Sequence, residues 1–267
     1  MSTHSPAACP NCEAPLTDRY CASCGQDAHY THPPTVGHFL HELSHEVLHV
    51  DGKIFRTIRA LLFQPGLLTA EYWHGHVVSW IRPLRLFLIA AAIHLLAVQH
   101  GVGPLNFQVA LTVDAQGKRD VAIGTDTPSM LKPGVRLLDD PEEREAYFQK
   151  FRKAYSAIRY SSVLAFALLA WLLYYRRHPY IVRHLILGLH YYSFWYLLAA
   201  AFSLRPEWGR VAVVPVAALY LLFAFRRVFG QGWPWTLAKA FVLIAGVLLI
   251  EGLLGLAAAS AVERHWF

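Results

Sequence analysis

The four cysteines of the chain all lie in one short N-terminal segment, CPNCEAPLTDRYCASCGQ. Cys9 and Cys12 form one C-x-x-C pair, and Cys21 and Cys24 form a second pair after an eight-residue spacer. Each pair can fold as a tight knuckle that presents two thiolates, and two knuckles complete a tetrahedral shell of four sulfur ligands. Such a closed shell predicts one structural zinc ion per chain, because it leaves no open position for a substrate or a catalytic water.

Two disulfides are the alternative use of four cysteines. Zinc is the better interpretation, because the rest of the sequence places this segment in the reducing cytoplasm, where disulfides rarely persist. In so short a ribbon, metal binding and folding should be a single event. Zinc ribbons contact DNA, RNA and proteins alike, so the ribbon alone names no partner.

A second stretch with possible chemistry is HELSHEVLH, which contains the letters H-E-x-x-H. In zinc proteases this spacing places two histidines, here His41 and His45, one helical turn apart beside a catalytic glutamate, here Glu42. At helical spacing the histidines lie opposite the apolar residues, and no third ligand follows at the spacing of the extended protease signatures. We interpret the stretch as the polar face of an amphipathic helix, and a surface metal site or a pH sensor stays open as an alternative. The histidines of this face are His38, His41, His45 and His49.

Long apolar segments dominate the rest of the chain. Its residues are 55% hydrophobic, and a membrane-spanning helix needs about 20 apolar residues. Five nearly uncharged segments predict spans: residues 83–100, 157–175, 181–203, 210–225 and 237–260. The predicted fold class is an all-α polytopic membrane protein with a small N-terminal zinc ribbon and a small extracytoplasmic loop that contains a hairpin.

Lys and Arg residues predict the orientation of these spans, because they concentrate on the cytoplasmic side. They exceed the acidic residues before the first span, between the second and third spans, and between the fourth and fifth. This alternation predicts an N-terminus in the cytoplasm and a C-terminus outside. The formal charge of +6 indicates contact with the lipid bilayer and argues against nucleic-acid binding, because the basic residues lie at the ends of the spans.

The pattern divides the chain into three regions. Residues 1–30 form the zinc ribbon, residues 31–82 form amphipathic and interfacial helices, and residues 83–260 form the transmembrane bundle. Within the bundle, residues 101–156 form the extracytoplasmic loop, and the alternation on both sides of DAQG predicts a β-hairpin there. In the second region, KIFRTIRALLFQ predicts a basic helix on the membrane surface, and LLTAEYWHGHVVSWIRP predicts another interfacial element.

Several of these motifs together resemble a known family. The residues that carry the resemblance are CxxC…CxxCGQ, Asp51, Thr57, Pro65-Gly66 and EYWHGHVVSWIRPLRLFL. They are similar to an uncharacterised bacterial family of polytopic inner-membrane proteins with an N-terminal zinc ribbon. The resemblance is strongest over residues 9–100. It implies a multi-pass protein of the bacterial inner membrane with bound zinc, and it implies no established activity.

Three ionisable residues fall near the middle of the predicted spans: His94, His190 and Glu251. Charged groups at that depth are costly and usually face the interior of a helix bundle. They could form a proton relay or a site for an ion or a substrate, or they could tie helices together through hydrogen bonds. The sequence leaves both interpretations open.

The sequence favours a non-enzymatic role, because it has no nucleophilic triad and no phosphate-binding glycine loop. We expect a membrane adaptor or regulator whose ribbon contacts a cytoplasmic protein partner. One alternative is a small transporter or lipid-handling protein that uses His94, His190 and Glu251. Another is a membrane-bound zinc metallohydrolase that uses the HELSH segment, with His41, Glu42 and His45 as the catalytic candidates.

Overall fold

The structure is a computed structural model, and it describes residues 8–27, 53–99, 108–113, 119–124, 136–137, 162–203 and 206–266. The helices in these ranges are α1 (Lys53–Phe63), α2 (Leu67–His74), α3 (Pro83–Gln99), α4 (Ser162–Tyr174), α5 (Ile181–Ser203), α6 (Pro206–Phe229) and α7 (Trp233–Trp266). The HELSH segment, with the candidates His41, Glu42 and His45, lies outside the described residues, as do His38 and His49.

Three helices are long and apolar enough to cross a membrane. They are Ile181–Ser203, Ala212–Phe229 and Trp233–Gly255. The other two predicted spans correspond to shorter apolar helices in the described part of the chain, Pro83–Ala97 and Ser162–Tyr174. The three long helices indicate insertion into a membrane, and the expected number of five spans is not established.

Helix α5 is the centre of the bundle. In an 18-residue apolar stretch of α5, 61% of the residues are buried inside the protein. The corresponding share in α7 is 17%. Helix α3 packs along α5, and α6 packs against α5 and α7. The apolar side chains of α7 therefore face outward, as lipid-facing side chains do; among the most exposed are Phe241, Leu248 and Leu249.

A small antiparallel sheet follows α3 in the chain. Strands β1 (Gln108–Val113) and β2 (Arg119–Gly124) form the hairpin that the alternating pattern predicts, with Gln108 opposite Gly124. A third strand, β3 (Arg136–Leu137), pairs with the other edge of β1. The sequence did not predict β3, because a two-residue strand is too short to show alternation.

Helices α1 and α2 pack on the end of the bundle. We call residues 53–82, which comprise both helices and the turn after them, the collar. Leu61 of α1 is fully buried, and Leu68 and Tyr72 of α2 are nearly so. The opposite side of α1 is exposed, and its side chains Phe55 and Phe63 are 84% and 77% exposed. The collar is therefore a layer packed on the bundle, and the predicted contact of these helices with the membrane surface stays a prediction.

The turn between α1 and α2 meets α6 at very short range. A Cβ atom on Gly66 would lie 2.9 Å from the Cα and the carbonyl oxygen of Ala224. Gly66 also has a φ of 75°, in the left-handed region that favours glycine. Around it, Arg227 donates a hydrogen bond to the carbonyl of Pro65 at 3.0 Å, and Tyr220 hydrogen-bonds to the backbone of Gly66. Both the backbone conformation and the contact therefore require glycine.

We expect Gly66→Ala to lower the melting temperature of the detergent-solubilised protein much more than Gly230→Ala. Both glycines have a positive φ, 75° and 60°, which costs an L-residue about 1–2 kcal/mol. Only Gly66→Ala also forces a methyl group into a helix backbone, since nothing lies within 4 Å of the equivalent point on Gly230; such overpacking adds roughly 1–3 kcal/mol. Far-UV circular dichroism measures the two melting temperatures, and equal losses would show that the collar does not depend on this contact.

Candidate metal centre

The ribbon consists of two knuckles with the same backbone design. In the first knuckle, the N–H of Cys9 donates to the carbonyl of Ala14 at 2.8 Å. In the second, the N–H of Cys21 donates to the carbonyl of Gln26 at 2.9 Å. Each bond spans five residues and closes one C-x-x-C pair into a tight loop. The repeated design turns both pairs of sulfur atoms toward one point.

The residue after the second cysteine of each knuckle has a left-handed backbone. Glu13 has a φ of 59° and Gly25 has a φ of 76°. In this conformation the N–H of Glu13 donates to the carbonyl of Cys9 at 2.9 Å, and the N–H of Gly25 donates to the carbonyl of Cys21 at 2.8 Å. Gly25 adopts this backbone without strain, whereas Glu13 is a non-glycine residue in a region that costs about 1–2 kcal/mol.

The four sulfur atoms form a compact group. All four Sγ atoms lie within 4.8 Å of one another, with Cys9 and Cys24 at 3.6 Å and Cys12 and Cys21 at 3.5 Å. A tetrahedral zinc ion with bonds of about 2.3 Å separates its sulfur ligands by about 3.8 Å. The cysteines are not joined as disulfides. The four cysteines therefore form a site that can hold one metal ion.

The electrostatics of the group also favour a bound cation. The backbone N–H groups of Cys24 and Ser23 lower the pKa of Cys21 to about 6, opposed by desolvation. Against the backbone amide of Ala14, desolvation and hydrogen bonds to the other sulfurs raise the pKa of Cys12 to about 12. Negative charge on one sulfur disfavours it on its neighbours, and a divalent cation would remove this conflict by stabilising each thiolate that it binds and releasing the thiol protons.

The second knuckle is tied to the collar by a buried side chain. Gln26 is 1% exposed, and its Nε2 donates to the carbonyl of Gly75 at 2.8 Å. Gly75 ends α2 with a φ of 98°, and this left-handed conformation directs the following chain away from the helix. Because Gln26 comes two residues after Cys24, the bond joins the metal site directly to the end of α2.

The first knuckle contacts the same turn of the collar. The backbone N–H of Asn11 donates to Sγ of Cys9 at 3.4 Å, and its side-chain Oδ1 accepts from the hydroxyl of Ser79 at 3.2 Å. The carbonyl of Ser79 accepts in turn from Arg56 of α1, whose guanidinium lies 4.7 Å from the ring centre of Trp80. Both knuckles are thus attached to the collar through residues within or next to a C-x-x-C pair.

The two histidines of the predicted spans each contact a different element. His190 of α5 is 4% exposed, and its Nδ1 lies 2.9 Å from the hydroxyl of Thr69 on α2. His94 of α3 stacks on Tyr196 of α5, with ring centres 5.0 Å apart and planes 14° apart. His190 therefore ties the collar to the central helix, and His94 packs α3 on the same helix.

Glu251 is half-buried on α7. It lies near Tyr191 and Tyr192 of α5. In the described part of the chain, the group of three or more possible metal ligands is the cysteine set, and His94, His190 and Glu251 do not form such a group. The structure therefore places His94 and Glu251 near tyrosines of α5, the helix that carries His190, but does not bring the three residues together as a group of metal ligands.

Apart from His190, the residues whose hydrogen bonds hold the ribbon and the collar in place were not among the predicted sites. Gln26 and Gly75 are 49 positions apart, and Thr69 and His190 are 121 positions apart. No periodicity or spacing signals such a pair. The CGQ tripeptide after the last cysteine was visible in the sequence, but nothing in it indicated where its glutamine points.

The chain is similar to a protein family over part of its length. Residues 51–95 match the model of a family described as a protein of unknown function, DUF3667. No curated protein and no solved structure matches the chain. The matched segment holds the whole collar and most of α3, with Gly66, Thr69 and Gly75 among its residues. It does not include the cysteine motif, so the expected similarity of the ribbon is not part of this match.

We expect Gln26→Glu to loosen the ribbon from the collar. The carboxylate has nearly the same shape as the amide, but it cannot donate to the carbonyl of Gly75 and repels it instead, with a cost of about 1–3 kcal/mol. The reverse exchange at an exposed position of the first knuckle, Glu13→Gln, is the matched control. Hydrogen exchange of the amides in residues 75–81 should accelerate in Gln26→Glu only. Unchanged exchange in a variant that keeps its metal would contradict the attachment.

Proposed function

We propose that this chain is a multi-pass membrane adaptor or regulator whose ribbon, folded around one structural zinc ion, contacts a cytoplasmic protein. The observation that carries the proposal is the attachment of both knuckles to the collar, through Gln26 and Gly75 at 2.8 Å and through Asn11 and Ser79 at 3.2 Å. The collar is itself packed on the bundle. A protein bound to the ribbon would therefore be held at a fixed place against the membrane helices.

The donor set supports zinc as the metal. Four thiolates in two C-x-x-C knuckles match the ligand type and number of structural zinc sites. Cys9, Cys12, Cys21 and Cys24 would hold the ion, which would supply the folding energy that so small a ribbon lacks. A shell closed by four sulfurs leaves the metal no catalytic position, and this supports a non-enzymatic role.

The packing at one end of the bundle supports the proposed orientation. Trp73 of α2 contacts His178, which precedes α5, at 5.1 Å between ring centres, and Phe229 at the end of α6 at 5.7 Å. These contacts bring together the three basic segments, residues 53–85, 176–183 and 226–239. Basic segments favour the cytoplasmic side. The ribbon lies at the same end, which supports a cytoplasmic N-terminus in the bacterial inner membrane.

The spacer between the knuckles offers a surface for a protein partner. Most of its residues, 13–20, are exposed, and Tyr20 is 57% exposed. Arg19 holds this ring in place, with its guanidinium 5.3 Å from the ring centre and an ion pair to Asp27 at 3.1 Å. A preorganised aromatic side chain is a common anchor in protein interfaces.

The two alternative functions have less support. A transporter that uses His94, His190 and Glu251 is disfavoured because His190 is already bonded to Thr69, 2.9 Å away. The three residues also form no group of metal ligands among the described residues. The metallohydrolase depends on the HELSH segment, which lies outside the described residues.

Metal analysis tests the zinc proposal. Wild-type protein purified in detergent should hold about one zinc ion per chain, and a variant with all four cysteines changed to Ser should hold none, because thiolates bind zinc far more tightly than hydroxyl groups do. The variant His41→Ala/His45→Ala is the control and should keep its zinc. If the cysteine variant still holds zinc, the cysteines are not the metal site. The HELSH histidines would then be the candidate ligands, and the metallohydrolase alternative would gain support.

Site-specific photocrosslinking in cells tests the adaptor role. A photoreactive amino acid at Tyr20 should capture a defined cytoplasmic protein, and this product should disappear when the four cysteines are changed to Ser, because the spacer is ordered by the metal. The same amino acid at Trp235, which is 69% exposed at the start of α7, is the control for collisional capture. Identical products from both positions, or no product from Tyr20, would contradict an adaptor that binds through its ribbon.

A further inference from the structure

A group of aromatic rings joins four elements at the end of the bundle that carries the collar. Tyr174 at the end of α4 stacks on Phe229 at the end of α6, with ring centres 3.5 Å apart. Trp73 of α2 and His178 pack beside them, each within 6 Å of Phe229. His184, in the first turn of α5, stacks on Phe229 from 6.0 Å.

Two cations lie on these rings. The guanidinium of Arg183 is 5.4 Å from the ring centre of Trp73, whose indole N–H donates to the carbonyl of Arg183 at 3.2 Å. The ammonium of Lys239 is 3.9 Å from the ring centre of Tyr174. Lys239 follows the start of α7 by six residues, about 9 Å along the helix axis, and it is half-buried. We call Trp73, Tyr174, His178, Arg183, Phe229 and Lys239 the basic cluster.

The positive charge of the basic cluster has no negative partner in the described part of the chain. Desolvation lowers the pKa of His178, and the charges of Arg183, Arg177 and Lys239 lower it further, while no carboxylate raises it. The carboxylate on α2, that of Glu71, is instead paired with His76 at 2.7 Å. Like charges held together at a partly buried place destabilise the fold unless an anion joins them.

Two buried polar atoms at the same place lack hydrogen-bond partners among the described residues. They are the hydroxyl of Tyr174, which is 1% exposed, and Nε2 of His184, which is 0% exposed. The other ring nitrogen of His184 donates to the carbonyl of Tyr180 at 3.2 Å. Native proteins rarely leave buried polar atoms unpaired, so each requires an explanation. An oxygen atom of a bound ligand would accept a hydrogen bond from the hydroxyl of Tyr174, and a hydroxyl group of that ligand would donate one to Nε2 of the neutral His184 ring.

We propose that the basic cluster binds a phosphate group, carried either by the headgroup of an anionic phospholipid or by a soluble phosphate ester. Arg183 supplies a planar donor that can bind two phosphate oxygens, and Lys239 supplies a point charge. The hydroxyl of Tyr174 donates a further hydrogen bond. The inference is independent of the ribbon's partner and of zinc, so it fails or holds separately from the adaptor role.

The structure provides a matched control for a general effect of basic residues near the membrane. Arg226 also lies on an aromatic ring, 5.0 Å from the ring centre of Trp233, at the same end of the bundle. It donates to the carbonyl of Gln231 and is exposed. Arg226→Gln therefore removes the same charge and the same kind of ring contact outside the basic cluster.

Native mass spectrometry of the full-length protein in detergent tests the proposal, with short-chain phosphatidylglycerol as the probe. Short-chain diacylglycerol, which lacks the phosphate, is the ligand control. Wild type should bind one phosphatidylglycerol and no diacylglycerol. Arg183→Gln and Lys239→Gln should each weaken binding about tenfold, the value expected for one charge-assisted hydrogen bond, and Arg226→Gln should leave it unchanged. Binding that does not need the phosphate, or equal weakening by Arg183→Gln and Arg226→Gln, would overturn the proposal.

Two further arms complete the experiment. Inorganic phosphate added as a competitor distinguishes the sources: displacement of the lipid points to a soluble phosphate ester, and retention points to a lipid headgroup.

Tyr174→Phe covers the case in which the charge variants do not fold, because it removes only an unpaired hydroxyl and keeps the stacked ring. This variant should melt no lower than wild type and bind phosphatidylglycerol several-fold more weakly. Unchanged affinity in Tyr174→Phe would overturn the assignment.

Discussion

The close contact between Gly66 and Ala224 fixes the position of the collar, and the arrangement of this end of the bundle depends on it. A Cβ atom on Gly66 would lie 2.9 Å from the backbone of α6. The turn is therefore in direct backbone contact with α6, and it cannot move away without losing this contact. Helix α2 begins at the next residue and has only eight residues. A helix this short is marginal by itself, and its position is set by what holds its ends.

Helix α2 in turn connects three parts of the molecule. Thr69, near its start, forms a hydrogen bond with His190 at 2.9 Å. The ring of Trp73, near its end, lies against the guanidinium of Arg183. The carbonyl of Gly75, which ends the helix, accepts a hydrogen bond from Gln26 of the ribbon at 2.8 Å. The central span, the basic cluster and the metal centre therefore share one rigid element. Residues 51–95, the segment that is similar to a protein family, include the whole of this helix.

Some of this could be predicted from the sequence, because the signal was local. The two C-x-x-C pairs predict the convergence of four sulfurs through spacing alone, the long uncharged runs predict α5 and α7, and alternation predicts the hairpin of β1 and β2. Amphipathicity, by contrast, shows that a helix has an apolar side and not what covers it. Leu61, on the apolar side of the predicted surface helix, is fully buried in the protein. The bond between Thr69 and His190 joins residues 121 positions apart, and only the folded chain brings them together.

The same contacts explain why a metal site belongs beside the membrane in this architecture. Two separate hydrogen bonds attach the ribbon, one from each knuckle, and a single bond of this kind stabilises by only about 0.5–1.5 kcal/mol. Neither bond alone would hold a ribbon of twenty residues against the entropy of the free chain. A metal ion that fixes Cys9, Cys12, Cys21 and Cys24 relative to one another also fixes Asn11 and Gln26, so both bonds form together without a further ordering cost. Binding of the metal and attachment to the collar are therefore coupled: the metal favours the attached ribbon, and by linkage the attached collar raises the affinity for the metal.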